Sequence, residues 1–383
     1  MGRRDHRPSA LMLIAAVVAV VVNGCADTPA PMSPSVTAIA VSGPPATRRP
    51  NDIPQPPVGS VTLKGAGSGL AGPLYQVWLE RFGATYPDIA ISYDGRDSTA
   101  GIEAVTGGTL AFGATDVAMT DAELAAAPTG VLHVPTALAA ISVVVNLPGV
   151  TSIHLDGATV AAIFLGRIVA WNDPAIVGLN AGVALPDLPI AVVHRSDPSG
   201  GTAALATWLA AASPEWRTGP GVGRTVSWPV GTGAEGGDGM IAAVKAVEGA
   251  IGYAGSTIAG SAGLRTVKLK NPAGTFVRAT SLAIGAAGET SVAGLLPDFR
   301  QPPVINAPGI NAYPIVVYAF VLVRVEQADR SAGQALVAFL AWALTSGQAD
   351  APQAGFAALP GGVQSKALAE LHRVTSGGSP IWP

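Results

Sequence analysis

The chain has 383 residues, 49% of them hydrophobic and only 12% charged, with 47 glycines and 32 prolines. That length can bury a sizeable core and suits two domains. The net charge of −3, with no basic run and no aromatic–basic interleaving, argues against a nucleic-acid-binding surface.

At the N-terminus, Arg3, Arg4 and Arg7 precede an unbroken apolar run from Ala10 to Val22, the make-up of a signal-peptide core and too short for a spanning helix. The run ends at Asn23-Gly24-Cys25. Cys25 is the only cysteine, so an internal disulfide is excluded. Its place after a small residue resembles a bacterial lipoprotein cleavage box, although Val22 and Asn23 stand where Leu and Ala or Ser are usual. Residues 1–24 are expected to be a signal peptide, with Cys25 becoming the first residue and carrying lipid that anchors the protein at the outer face of the cell membrane. Secretion with an incidental cysteine is the alternative. Nine prolines between Ala26 and Pro57, without hydrophobic periodicity, predict that residues 25–57 form an extended, solvated tether.

From Val61 short apolar runs alternate with amphipathic segments, the pattern of an α/β protein. Val61 to Leu63 reads as a strand, followed by a helix opened by Pro73 with Leu74, Val77, Trp78 and Phe82 at helical spacing. Ile89 to Tyr93 is strand-like and precedes a short helix around Ile102 to Val105. Leu110 to Thr115 reads as a buried strand ending at Asp116. Asp121 is expected to cap a helix through Ala127; Val131 to Val134 and Ile141 to Val145 read as two strands. Asp156 caps a helix from Ala158 to Leu165, and Asp173-Pro174 starts one through Leu179. The run Ile190 to Val193 leads to a helical pattern from Ala203 to Ala212. Ile251 to Ala254 and Ile315 to Val323 are strands, and Ala332 to Thr345 is a core-facing helix. Trp78, Trp171, Trp208, Trp216 and Trp342 read as packing residues.

Three junctions share one chemistry. Val193-His194-Arg195-Ser196-Asp197-Pro198-Ser199-Gly200-Gly201-Thr202 lies where a strand ends and a helix starts. A helix start offers unpartnered N–H groups and roughly half a positive charge, glycines admit a ligand to the main chain, and Arg195 brings a guanidinium fork matched to tetrahedral oxyanions. Ser199 and Thr202 add hydroxyls. Lys64-Gly65-Ala66-Gly67-Ser68-Gly69-Leu70 is a second such loop, and Tyr93-Asp94-Gly95-Arg96-Asp97-Ser98-Thr99-Ala100-Gly101 a third. The second carries no Gly-Lys-Ser/Thr of a Walker loop and no convincing dinucleotide fingerprint. Asp116 completes the set: an ionised carboxylate only accepts hydrogen bonds, so it suits a ligand with a proton to donate.

An enzyme could use Ser199 with His194 as base, but there is no Gly-x-Ser-x-Gly elbow, and His194 reads as a strand-end packing residue. The five histidines are scattered without His-Glu-x-x-His, so no metal and no cofactor is expected.

Gly65-Ala66-Gly67, Phe112 to Asp116, Ile163 to Ile168, Trp171 to Pro174, His194 to Asp197, Trp228 to Gly231 and Gly249 to Tyr253 occur in family order and together resemble the phosphate-binding protein of the bacterial high-affinity phosphate ABC importer, the PstS family. The similarity runs from about Val61 to about Leu371. The resemblance implies an α/β, two-lobed periplasmic-binding-protein fold (type II-like), each lobe a mixed sheet flanked by helices, with two hinge crossings near Asn146-Leu147-Pro148 and Tyr313-Pro314. One lobe would then combine residues 58–146 with 314–383 and the other comprise 147–313. Carried over by position, phosphate is held by Ser68, Gly69, Leu70, Ser98, Asp116, Arg195, Ser199, Gly200, Gly201 and Thr202, chiefly through the N–H of Leu70 and Gly200, the hydroxyls of Ser98 and Ser199, the Asp116 carboxylate and the Arg195 guanidinium.

Two positions depart from the family pattern. Gly69 stands where a Thr donor is frequent, and Gly201 where Ser-Gly-Thr is common, with Thr202 one place later. Each lost hydroxyl weakens binding by about 1.5–3 kcal/mol unless Ser68, Thr202 or water replaces it. The implied partners are inorganic phosphate and the membrane subunits of an ABC importer, with a monomer held to the membrane by lipid. A binder of sulfate or molybdate, a diverged phosphate sensor and a secreted phosphatase are the competing readings.

Overall fold

The computed structural model describes residues 54–383. The expected signal peptide, Cys25 and the expected tether up to residue 53 lie outside the described residues. In chain order the first elements are β1 (Val61–Ser68), α1 (Gly72–Thr85), β2 (Ile89–Arg96), α2 (Ser98–Thr106), β3 (Phe112–Thr115), α3 (Asp121–Ala126), β4 (Val131–Val145), β5 (His154–Leu155), α4 (Gly157–Phe164) and α5 (Pro174–Leu179). They are followed by β6 (Ala191–Arg195), α6 (Gly200–Ala212), α7 (Pro214–Thr218), β7 (Thr232–Ala234), α8 (Gly236–Ala246), β8 (Ala250–Gly255) and α9 (Ser256–Ser261). Then come β9 (Arg265–Thr266), β10 (Lys268–Lys270), β11 (Phe276–Val277), α10 (Ser281–Ser291), β12 (Val304–Ile305), β13 (Ile315–Arg324), α11 (Arg330–Ala343), α12 (Gly361–Leu371), β14 (Thr375–Ser376) and β15 (Ser379–Pro380).

The fold is mixed α/β, with helices packed around one long sheet. Its main strand order is β2-β1-β3-β13-β4-β8-β6-β7. β1 runs parallel to β2 and β3, and β6 parallel to β7 and β8. Between these two parallel groups lies β4. It pairs antiparallel with β13 over Val131 to Ala140 and then antiparallel with β8 over Ile141 to Val145, so it meets the first group through β13 and the second through β8.

The two strands expected at Val131 to Val134 and Ile141 to Val145 are thus one strand of 15 residues. Pro135 hides this in the sequence, because a proline cannot donate to a ladder. The register skips one residue there, with Pro135 opposite Phe320 and Ala137 opposite Ala319. The extra residue, Thr136, donates its hydroxyl to the Ala319 carbonyl at 2.9 Å, so the bulge keeps that acceptor satisfied.

Helix starts follow side-chain caps. Asp97, Asp156, Asp173, Ser199 and Asp329 each accept from an N–H in the first turn. The cap of α3 is Thr120, not Asp121: its hydroxyl accepts from Glu123 N–H while Glu123 reaches back to Thr120 N–H, a capping box that uses the carboxylate three residues on. α6 opens at Gly200, three residues before the apolar pattern begins.

Trp78, Trp171, Trp208 and Trp216 are all buried in the core, with Trp342 at its edge. On α11, Leu336, Phe339, Leu340 and Ala343 are buried, and Phe339 meets Phe82 of α1 edge-on at 5.3 Å between centroids. Among the described residues no helix is long and apolar enough to cross a membrane.

Candidate anion-binding cleft

Both parallel strand groups end, at their carboxyl edges, on one cavity of about 410 Å³. Such edges leave helix N-termini facing the crevice. Here α2, α6 and α8 begin among the lining residues Ser98, Gly200 and Gly236. Eight of the ten residues named from sequence line the cavity: Gly69, Leu70, Ser98, Asp116, Arg195, Ser199, Gly200 and Gly201. Ser68 lies behind it. Thr202 is turned elsewhere.

Asp116 sits at the end of β3, 5% exposed. Ser68 Oγ donates to its carboxylate at 2.6 Å, and Ser98 Oγ lies 3.5 Å from Oδ2 while accepting the Asp116 N–H at 3.1 Å. Burial pushes the Asp116 carboxyl up to about 6, against the pull of those two hydroxyls and of Arg195. Desolvation therefore dominates. Ser68 is fully engaged, since its Oγ also accepts from Leu70 N–H at 3.1 Å and Ala71 N–H at 3.4 Å. The Leu70 amide must share or leave that acceptor to reach a ligand.

Arg195 ends β6 and its side chain is 11% exposed. Its Nε donates to Asp197 Oδ1 at 2.6 Å and its Nη2 pairs with Asp197 Oδ2. This bidentate grip fixes the plane of the fork. Nη1 is directed to Ser199 Oγ at 3.1 Å. Asp197 also accepts Gly236 N–H at 3.0 Å, and these partners hold its carboxyl below the usual range despite burial.

Ser199 caps α6 by accepting from Gly201 N–H at 3.1 Å. Gly200 packs against the opposite wall: a Cβ there would lie 2.8 Å from Asp116 Cβ and 2.9 Å from Ser98 Oγ. Gly69 is similarly confined, its Cβ position falling 2.9 Å from the Arg96 carbonyl. A Cβ on Gly201 meets only ordinary contacts at 3.4 Å. Thr202 departs from its expected role: it does not line the cavity, and its Oγ1 lies 2.6 Å from the Oη of Tyr253, which does.

Asp197, Tyr253 and the α8 start at Gly236 were not singled out as site residues from sequence. Tyr253 accepts Arg195 N–H at 3.1 Å, and burial pushes its phenol up to about 12, so it stays protonated. The α8 start is a fourth strand–glycine–helix junction, hidden because Thr232-Gly233-Ala234 has no apolar run. His194 stacks on Trp228 with 4.9 Å between centroids and its Nδ1 lies 3.0 Å from the Arg195 carbonyl oxygen, which commits it to packing. Among the described residues no group of three or more His, Cys, Asp or Glu is placed to hold a metal ion.

The lining carries five acids (Asp97, Asp116, Asp197, Glu235, Asp238) against two bases (Arg96, Arg195). What this cleft offers an anion is therefore aimed donors, namely helix-start amides and one fork, and not net charge.

A family model described as the PBP superfamily domain matches residues 30–346. The phosphate-binding protein PstS of Xylella fastidiosa is 33% identical over 303 residues, covering 79% of this chain and 82% of the relative. That of Pasteurella multocida is 33% identical over 331 residues, covering 84% and 93%. The crystal structure of a phosphate-binding protein from Stenotrophomonas maltophilia superposes with a TM-score of 0.64 at 19% identity, covering 84% of this chain and 96% of that one.

Proposed function

The chain belongs to the PBP superfamily and, within it, to the family of the PstS phosphate-binding proteins, and from that membership we propose that it captures inorganic phosphate outside the cytoplasm and delivers it to an ABC importer. The observation that carries this reading is the convergence on one cavity of the Asp116 carboxylate, the Asp197-held Arg195 fork and the starts of α2 and α6.

Phosphate is held by Gly69, Leu70, Ser98, Asp116, Arg195, Ser199, Gly200 and Gly201, with Ser68 holding Asp116. Asp116 selects the ligand. Near neutral pH phosphate keeps an O–H that the carboxylate accepts, whereas sulfate brings only acceptors and faces a buried negative charge. The protein binds and releases without turnover.

The change of β4 partner at Ile141 supports two lobes, 58–146 with 314–383 and 147–313, closing on the ligand about crossings near Asn146-Leu147-Pro148 and Tyr313-Pro314. The mature chain is a monomer anchored by lipid on Cys25 at the outer face of the cell membrane, with residues 25–57 as tether.

Isothermal titration with phosphate, repeated in excess sulfate, tests the reading. Saturable one-site binding that sulfate leaves intact is expected; absence of binding, or equal displacement by sulfate, overturns it.

A further inference from the structure

Among the described residues two ion pairs cross from residues 58–146 to residues 147–313, Asp121–Arg300 with its carboxylate exposed and Glu123–Arg224 largely buried. Glu123 belongs to α3, which follows β3 and packs through Leu124 on the cluster of Ile102, Val105, Met119 and Leu322. Arg224 lies between α7 and β7, on the other group. Arg224 Nη2 bonds to Glu123 Oε1, with the two side chains only 24% and 22% exposed. Within its own half the guanidinium finds no acceptor, and its Nη1 is buried without a partner among the described residues.

The same residue reaches the cleft through its main chain. The Arg224 carbonyl accepts the N–H of Ser199 at 2.9 Å, and Ser199 caps the helix whose first residue, Gly200, faces Asp116. The Glu123–Arg224 pair thus ties the far wall to the loop that carries the anion donors. α3 has no buried residue of its own, so little apolar packing fixes this seam.

We propose that Glu123 and Arg224 form a clasp across the cleft that is made when the halves close and must break before the ligand leaves, so that it sets the rate of release. The proposal rests on the phosphate reading for its kinetic consequence. Its structural part does not need a ligand.

Glu123→Gln removes the charge and keeps a residue that serves the capping box equally; Arg224→Gln removes the other partner. In the full mature chain, stopped-flow release of inorganic phosphate is expected to speed up about tenfold in either variant, with association little changed. The double variant releases no faster than either single one, as coupled partners require. Arg167→Gln is the control: Arg167 pairs with Glu215, both within residues 147–313, so its loss leaves release unchanged.

Hydrogen exchange of the ligand-free chain supplies the second readout, with the Ser199 region exchanging faster in both Gln variants. A wild-type chain that binds no phosphate removes the functional reading, and exchange then decides the clasp alone. Release at the wild-type rate in both variants, additive effects in the double variant, an equal effect of Arg167→Gln, or unchanged exchange around Ser199 overturns the clasp.

Discussion

Gly200 and Asp116 meet across the cleft with no space between them for a methyl group: a Cβ on Gly200 would lie 2.8 Å from Asp116 Cβ and 3.0 Å from its Oδ2. The α6 N-terminus therefore approaches the carboxylate only because residue 200 lacks a side chain. Gly200→Ala is expected to hold the walls apart and weaken phosphate binding by about 10- to 100-fold, while the better helix former leaves the unfolding midpoint at or above wild type. Titration alongside thermal unfolding separates the two effects. Wild-type affinity in the alanine variant would show that the observed approach is not used in binding.

Asp116 carries a stability cost whose sign follows from its environment. Its carboxyl titrates at about 6 when folded and at 3.8 as an unperturbed group, so the folded chain binds a proton between these values that the unfolded chain does not. Burial of Asp116 costs nothing below the lower value, costs progressively more as pH rises through the interval, and is fully felt above about 6, where two units correspond to about 3 kcal/mol. Asp116→Asn is accordingly expected to stabilise the phosphate-stripped protein by up to about 3 kcal/mol near neutral pH and by little below about pH 4. Urea unfolding at both pH values checks this, and a gain independent of pH would mean that some other effect of the amide is responsible.

On the phosphate reading, the same proton should govern selectivity. Once protonated, Asp116 gains an O–H that sulfate can accept. Sulfate affinity should then track the protonated fraction, nearly level below about pH 6 and falling about tenfold per unit above it. Phosphate, which donates to the ionised carboxylate, does not share that slope. Competition titrations across this range in wild type and Asp116→Asn test the point, since the variant should lose the slope; a pH-independent sulfate constant in wild type would assign the discrimination to another group.

Much of the cleft was legible because each contributing segment has its own local signature. Ser199-Gly200-Gly201 and Asp97-Ser98 announce helix starts through cap and glycine, with Arg195 or Asp116 at a strand end, and these features need only near neighbours in sequence. What escaped depends on distant partners or on competing local choices. Tyr253 is 58 positions from the amide it accepts, and Thr202 lies behind the cavity wall on the buried phenol of Tyr253. Thr120 took the cap from Asp121 because Glu123 completes a reciprocal box. The continuity of β4 was hidden by Pro135, whose missing N–H is absorbed by a bulge that only the partner strand reveals.

Gly69 and Gly201 both lack a hydroxyl that relatives of this kind were expected to have, yet they differ in space. At Gly69 a side chain would collide with the Arg96 carbonyl at 2.9 Å, so main-chain geometry fixes glycine there. At Gly201 a Cβ meets Ile141 Cδ1 and Ser199 Oγ at 3.4 Å, ordinary contacts in the first turn of a helix that has no need of glycine. Neither Ser68, committed to Asp116, nor Thr202, committed to Tyr253, makes up the missing donor. Gly201→Ser should restore one hydroxyl at the cavity wall and tighten phosphate binding by about tenfold, with a small gain in stability from the replaced glycine. Equal affinity of wild type and Gly201→Ser by titration would show that water or main-chain donors already satisfy that side of the anion.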